Sequence, residues 1–324
     1  MSQGIKRGIA LAFAAAALIA AAQANAQAWP SKTVRIVVPF GPGGGTDIQG
    51  RLLGKKFTES MGQTFVLENR AGAAGLIGAE IVAKSPPDGY NILFTTASLA
   101  VNVSLYKKSA IDPVKDLTPV SWISSVPLVL VVHPSVPAKN VKELVALTKK
   151  RAGKMNVASN GSGTTSHLSI EMLRQLAGVD VTHIPYKGGG PAITAMLTGE
   201  VDFTFATALA AQPHIKSGRV RPLAVTTGKR SSTFPDLPTM DSLYPGFESD
   251  NWYAMFLPAG TPREIVAKLN AEIVRALKSP DVRDFITKEG GDPVGSSPEE
   301  LAKYFRREIE KYAKVIKAGN ITAE

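Results

Sequence analysis

Two stretches of this sequence gather the groups that bind small anions. The first, Gly41-Pro42-Gly43-Gly44-Gly45-Thr46-Asp47, sets four glycines ahead of a threonine and an aspartate. Without Cβ atoms in the way, backbone N–H groups can approach a ligand, and at a helix start they carry the positive end of its dipole. The second, Asn160-Gly161-Ser162-Gly163-Thr164-Thr165-Ser166-His167, concentrates hydroxyls and N–H groups in the same way. Together they predict two facing helix N-termini around one small carboxylate. Neither loop contains an arginine, so the expected contacts are N–H groups and hydroxyls. A bland reading stands beside each: a tight turn for the first loop, a Ser/Thr helix cap for the second. Asp47 is then either a general base or a first-turn acid completing the helix cap. His167 either touches the ligand or bonds the backbone.

Readings beyond binding find less support. The glycine loop lacks the Gly-Lys-Ser/Thr of a phosphate-binding loop, and Thr46 stands where a dinucleotide fingerprint needs its last glycine. No Gly-x-Ser-x-Gly elbow occurs. His133, His167, His183 and His214 are far apart, without zinc spacing. Tyr186-Lys187 ahead of Gly188-Gly189-Gly190 is a turn or, less simply, a catalytic pair. The chain has 0 cysteines, which excludes thiol nucleophiles, thiolate zinc sites and a disulfide framework. No catalytic residue, cofactor or metal is expected.

The elements that must carry these loops follow from hydrophobic period. Thr33 to Phe40 is a β-rich run ending at the glycine loop, and Ile48, Leu52, Leu53, Phe57 and Met61 then recur at helical spacing. Strands at 65–67 and 91–96 flank a helix at 75–84. The pattern restarts with strands at 127–133, 156–159, 181–184, 203–206 and 220–225, and helices at 140–152, 165–177 and 191–198. A strand at 252–257 precedes two long helices, 262–278 and 298–317, with Thr261 and Ser297 as N-caps ahead of Pro262 and Pro298. Strands alternating with helices predict an α/β protein of two lobes, each a mixed sheet flanked by helices, with a ligand cleft between them. The chain crosses near Trp122 to Val126 and again near Glu248 to Trp252. Lobe 1 is therefore expected to hold residues 27–125 plus 251–324, and lobe 2 residues 126–250, with a hinge at the paired crossings.

Lys6 and Arg7, the apolar run Ile9 to Ala22, and Ala24-Asn25-Ala26 together predict a signal peptide, residues 1–26, cleaved before Gln27. The formal charge of +10 becomes +8 without Lys6 and Arg7, and the basic residues are scattered rather than massed. That balance fits an anionic small molecule at least as well as nucleic acid.

The chain resembles the extracytoplasmic solute receptors of tripartite tricarboxylate transporters, the Bug-type receptors. The resemblance rests on Trp29-Pro30-Ser31-Lys32, Val38-Pro39-Phe40 running into the glycine loop, Glu68-Asn69-Arg70-Ala71-Gly72-Ala73, Pro86-Pro87-Asp88-Gly89-Tyr90 and Ser159-Asn160-Gly161-Ser162-Gly163-Thr164. It continues through Pro185 to Ala192, Gly199-Glu200-Val201-Asp202 and Leu257 to Pro262, in order along the mature chain. It implies a periplasmic, monomeric receptor that binds a carboxylate, partly through bridging waters, and delivers it to integral membrane subunits. No catalysis and no nucleic-acid partner are implied. Carried over residue by residue, the ligand positions are Phe40, Gly44, Gly45, Thr46 and Asp47 on one side and Thr164, Thr165 and His167 on the other. Ser98 and Thr207 complete the lining. A sensory or scavenging receptor without a transporter, or an exported enzyme acting on a carboxylate, are the competing classes.

Overall fold

The structure, a computed structural model, describes residues 29–106, 109–231 and 233–322 of the 324. The signal-peptide segment expected at 1–26 lies outside the described residues. Four buried apolar residues and the exposed Arg35 form β1 (Val34–Val38), which feeds through the glycine loop into α1 (Gly45–Met61). The chain continues through β2 (Phe65–Asn69), a 3₁₀ turn at Ala73–Gly75, α2 (Leu76–Ala83), β3 (Asn91–Thr96), α3 (Ser98–Leu105), the single turn α4 (Pro113–Asp116) and β4 (Leu117–Val126). Then come β5 (Leu128–Val132), α5 (Val141–Lys150), β6 (Asn156–Ser159), α6 (Thr165–Ala177), β7 (Thr182–Pro185), α7 (Gly189–Thr198), β8 (Phe203–Thr207), α8 (Ala208–Lys216), β9 (Arg221–Val225) and α9 (Met240–Leu243). The chain returns through β10 (Asn251–Pro258), α10 (Arg263–Leu277), α11 (Pro280–Lys288), β11 (Asp292–Pro293) and α12 (Pro298–Ala318).

Two mixed sheets result. The first has the order β11-β4-β10-β3-β1-β2 and the second β7-β6-β8-β5-β9. β1 pairs in parallel with β2 and β3, while β10 runs antiparallel between β3 and β4. In the second sheet β6 is parallel to β7 and β8, and β5 is antiparallel to β8 and β9. The parallel pairs leave α1 and α6 starting at strand C-termini, where open α/β sheets bind ligands. Asn251 pairs with Val126, so the two passages between the sheets lie side by side. α12 spans both halves: Tyr312 shares a core with Trp252 and with Leu168 of α6. Among the described residues, no helix is long and apolar enough to cross a membrane.

The elements depart from sequence expectation in instructive places. β4 is a ten-residue strand that its serines and Pro119 conceal, and the ladder with β10 shifts register beside that proline. α3, α8 and α11 are additional helices, as are the short α4 and α9. Ser297 does cap α12 in a full capping box with Glu300, but Pro262 occupies the N-cap position of α10 without a side-chain bond, and Thr261 donates its hydroxyl to Pro258 O instead. Trp122 stacks on Tyr304 at 3.9 Å between ring centroids, and Trp252 is fully buried and bonded to Glu308.

Candidate functional site

The glycine loop is braced from beneath. Asp47, in the first turn of α1, accepts hydrogen bonds from Gly43 N–H (3.0 Å), Asn69 Nδ2 (3.0 Å) and Arg51 Nη2 (2.9 Å) and Nε (3.2 Å). Asn69 also donates to Phe40 O at 3.0 Å, closing the other end of the loop. Burial alone would push the Asp47 carboxyl up. Arg51, the Gly43 N–H and Asn69 outweigh it and hold the group below the usual carboxylate range. Asp47 therefore fixes loop shape, and its acceptors are taken. Gly44, the N-cap of α1, offers no side-chain cap, so the first N–H groups of α1 keep their capacity for an anion.

The Ser/Thr loop is braced by a histidine pair. Gly163 N–H donates to His167 Nδ1 at 3.1 Å, which assigns the ring proton to Nε2. His167 stacks on His183 at 4.3 Å, and His183 Nε2 lies 2.6 Å from Ser159 Oγ. Burial is the main cause that drives both imidazoles down, His167 to about 3 and His183 to about 4, with Arg174 adding to each and His183 to His167. Both rings stay neutral near pH 7. Thr164 caps α6: its hydroxyl donates to Gly161 O at 2.7 Å and accepts from His167 N–H at 3.4 Å. That leaves the Thr164 hydroxyl no proton for a ligand anion. Thr165, next along the helix, is buried at its first turn.

The Ser/Thr loop packs against the first-sheet side. A Cβ on Gly163 would sit 2.8 Å from Leu105 and 3.6 Å from Ala74 and Asn102, so the second-sheet loop closes directly on α3 and the 3₁₀ turn. Asn102 Nδ2 donates to Ala74 O (2.9 Å), holding a turn in which Ala73 and Ala74 adopt φ of 46° and 50°. Such strain in non-glycine residues concentrates at functional sites. The ring of Phe40 lies against Gly75 of that turn. Ser98 begins α3, buried, its N–H on Thr96 Oγ1. Thr207 is the N-cap of α8 and, like Gly44, makes no side-chain cap.

Three residues absent from the sequence reading stand beside these. A Cβ on Gly45 would lie 2.7 Å from Tyr253 Oη and 2.8 Å from Glu289 Oε1, so glycine is required there by close approach. Asn251 Nδ2 donates to Tyr253 Oη at 3.2 Å. Gly290, following Glu289, abuts Ala208 and Phe234, and Thr233 Oγ1 donates to Thr287 O. The uncapped starts of α1 and α8 thus meet around residues 289–290. An acid after a helix end reads in sequence as solvated, and nothing in its spacing signals burial. A surface groove of about 1120 Å³, lined in part by Ile77, Val103, Tyr106 and Ile316, lies outside this cluster. Among the described residues no three His, Asp or Glu side chains gather as a metal site.

Two mixed α/β sheets meeting over helix N-termini free of side-chain caps define a solute-binding receptor of the periplasmic binding type. The chain belongs to the tripartite tricarboxylate transporter family of receptors, TctC, whose profile matches residues 50–321. It is similar to protein BugT of Bordetella pertussis, 38% identical over 300 residues that cover 92% of each chain. A solved R. palustris protein with adipate is 36% identical with a TM-score of 0.85, over 91% of this chain and 99% of that one. MatC of Rhodopseudomonas palustris with bound malate is 35% identical with a TM-score of 0.81, over 89% of this chain and all of its own. The expectations of fold class, family and receptor function agree with these likenesses.

Proposed function

We propose that this protein is a monomeric periplasmic receptor that captures a small organic carboxylate without turnover and delivers it to the membrane subunits of a tripartite tricarboxylate transporter. Its leader is removed after Ala26. Lobe 1 comprises residues 27–125 and 251–324, lobe 2 residues 126–250, and the adjacent passages at Val126 and Asn251 act as the hinge. The observation that carries the reading is the pair of uncapped helix starts, at Gly44 and Thr207, whose first helical residues Gly45 and Ala208 pack on the adjacent residues Glu289 and Gly290. An anion there gains N–H donors and favourable dipoles from both lobes, so binding favours closure by its differential affinity. The adipate and malate in the relatives support a carboxylate.

In this reading Phe40, Gly44, Gly45, Thr46, Ser98, Thr165 and Thr207 line the ligand. Asp47, Thr164 and His167 act one step back, holding the loops in shape. Among the described residues of the two loops, His167 and Asp47 are committed to bracing contacts, which supports capture rather than catalysis. Calorimetric titration with aliphatic mono-, di- and tricarboxylates tests this: one should bind at one per chain and be recovered unchanged. Recovery of a converted product would overturn it.

A further inference from the structure

Glu289 is the one carboxyl in the cluster whose chemistry the loops do not use. It is 2% exposed, and its Oε2 has no hydrogen-bond partner. Its Oε1 stands 2.8 Å from the position of a Cβ on Gly45, the first residue of α1. On the other side Gly290 is packed against Ala208, next to the uncapped Thr207. A buried acid with an unfilled oxygen therefore sits where the N–H groups of α1 would receive an anion.

Resting on the carboxylate-receptor reading, we propose that Glu289 is a ligand-reading residue that enters the complex protonated and donates its O–H to the bound carboxylate. Two carboxyl groups side by side in a dry cleft cannot both ionise without a cation between them, but they share one proton readily. Among the described residues, the surroundings supply no cation. From β10 comes Tyr253, a phenol whose own ionisation burial pushes well up. From α1 come backbone groups, with Asp47 committed to Arg51. From the second-sheet side come Ala208, Thr233 and Phe234, none of them titratable. On its own helix, Lys288 is exposed. Burial accordingly raises the Glu289 carboxyl to about 8, leaving it a donor at neutral pH. The site then prefers anionic carboxylates over zwitterions whose ammonium would need an ionised Glu289.

The test is titration of the wild-type protein with adipate, malate and their shorter and longer homologues at pH 6.5 and 9, each in two buffers of different ionisation enthalpy. The probe that binds at pH 6.5 should take up almost no proton there and close to one at pH 9. Its affinity should fall by about tenfold per pH unit once Glu289 ionises in the free protein. Glu289→Gln retains a donor, so it should hold affinity within about threefold of wild type at pH 6.5 and flatten the profile; Glu289→Ala should bind more weakly at both. Binding with no proton uptake at pH 9, or an affinity that rises with pH, overturns the role of Glu289 while leaving the receptor reading intact. Failure of every carboxylate to bind wild type overturns both, and the wild-type proton count decides the matter even where a variant misfolds.

Discussion

Replacing Gly45 with alanine sets two opposing effects against each other at the start of α1. Gly45 lies in the helix, outside the left-handed region, so alanine lowers the entropic cost of folding by roughly 0.5–1 kcal/mol. Against this, the new Cβ would stand 2.7 Å from Tyr253 Oη and 2.8 Å from Glu289 Oε1. Neither obstacle is a mobile tip: both residues are buried, and Tyr253 is tied to Asn251. Overpacking of this kind costs about 1–3 kcal/mol, so the expected net loss is centred on about 1 kcal/mol. The control is Gly41→Ala, where nothing lies within 4 Å and the change should stay within about 0.5 kcal/mol. Urea unfolding monitored by circular dichroism reads both, through a lower midpoint at unchanged slope. Adding Tyr253→Phe to Gly45→Ala removes one of the two obstructing atoms. The double variant should therefore lose less than the sum of the single losses. A Gly45→Ala protein as stable as wild type, or more so, would refute the close approach of α1 to Glu289.

Other consequences follow from the braces. His183 and His167 stay neutral in the folded chain down to about 4 and about 3, yet accept protons near 6.5 when unfolded, so each withdraws roughly 1.4 kcal/mol of stability per pH unit below 6.5. Buried Asp250 and Glu289, raised to about 7 and about 8, act in the opposite sense, losing stability as pH rises from the unfolded carboxyl range. The difference between wild type and His183→Phe between pH 6.5 and 4.5 isolates the histidine contribution, and a flat difference would contradict the neutral stack. Thr164→Val should cost about 0.5–2 kcal/mol of stability through the lost cap of α6, read by thermal unfolding; unchanged stability would deny the cap. Asp47→Asn should weaken both stability and carboxylate binding, by about 1.5–3 kcal/mol for stability, as Arg51 loses its charge partner. Binding unchanged by that variant would separate the loop from the site.

The sequence was most legible where period and punctuation agree. α6 begins and ends where its pattern says, because Thr164 caps it and Gly178 stops it in the left-handed region. The glycine loop stood out by chemistry alone. Its neighbours were hidden because their roles depend on contacts remote in sequence: Tyr253 and Glu289 are more than two hundred residues from Gly45. The partners of Asp47 and His167 were hidden as well. Arg51 and Asn69 bond Asp47, and the Gly163 N–H bonds His167. β4 escaped notice since Ser121, Ser124 and Ser125 break its apolar pattern, though Ser121 and Ser124 are fully buried through bonds to Ser296 O and Gln49.

The central claim is capture of a carboxylate between two closing lobes, and small-angle scattering with and without a titrated carboxylate tests it most directly. At saturation with a carboxylate shown by calorimetry to bind one per chain, the radius of gyration should be smaller than that of protein stripped of ligand by unfolding and refolding. Glu289→Gln, which keeps the donor, should close alike at pH 6.5. Superimposable profiles for the stripped and saturated wild-type protein would contradict the account.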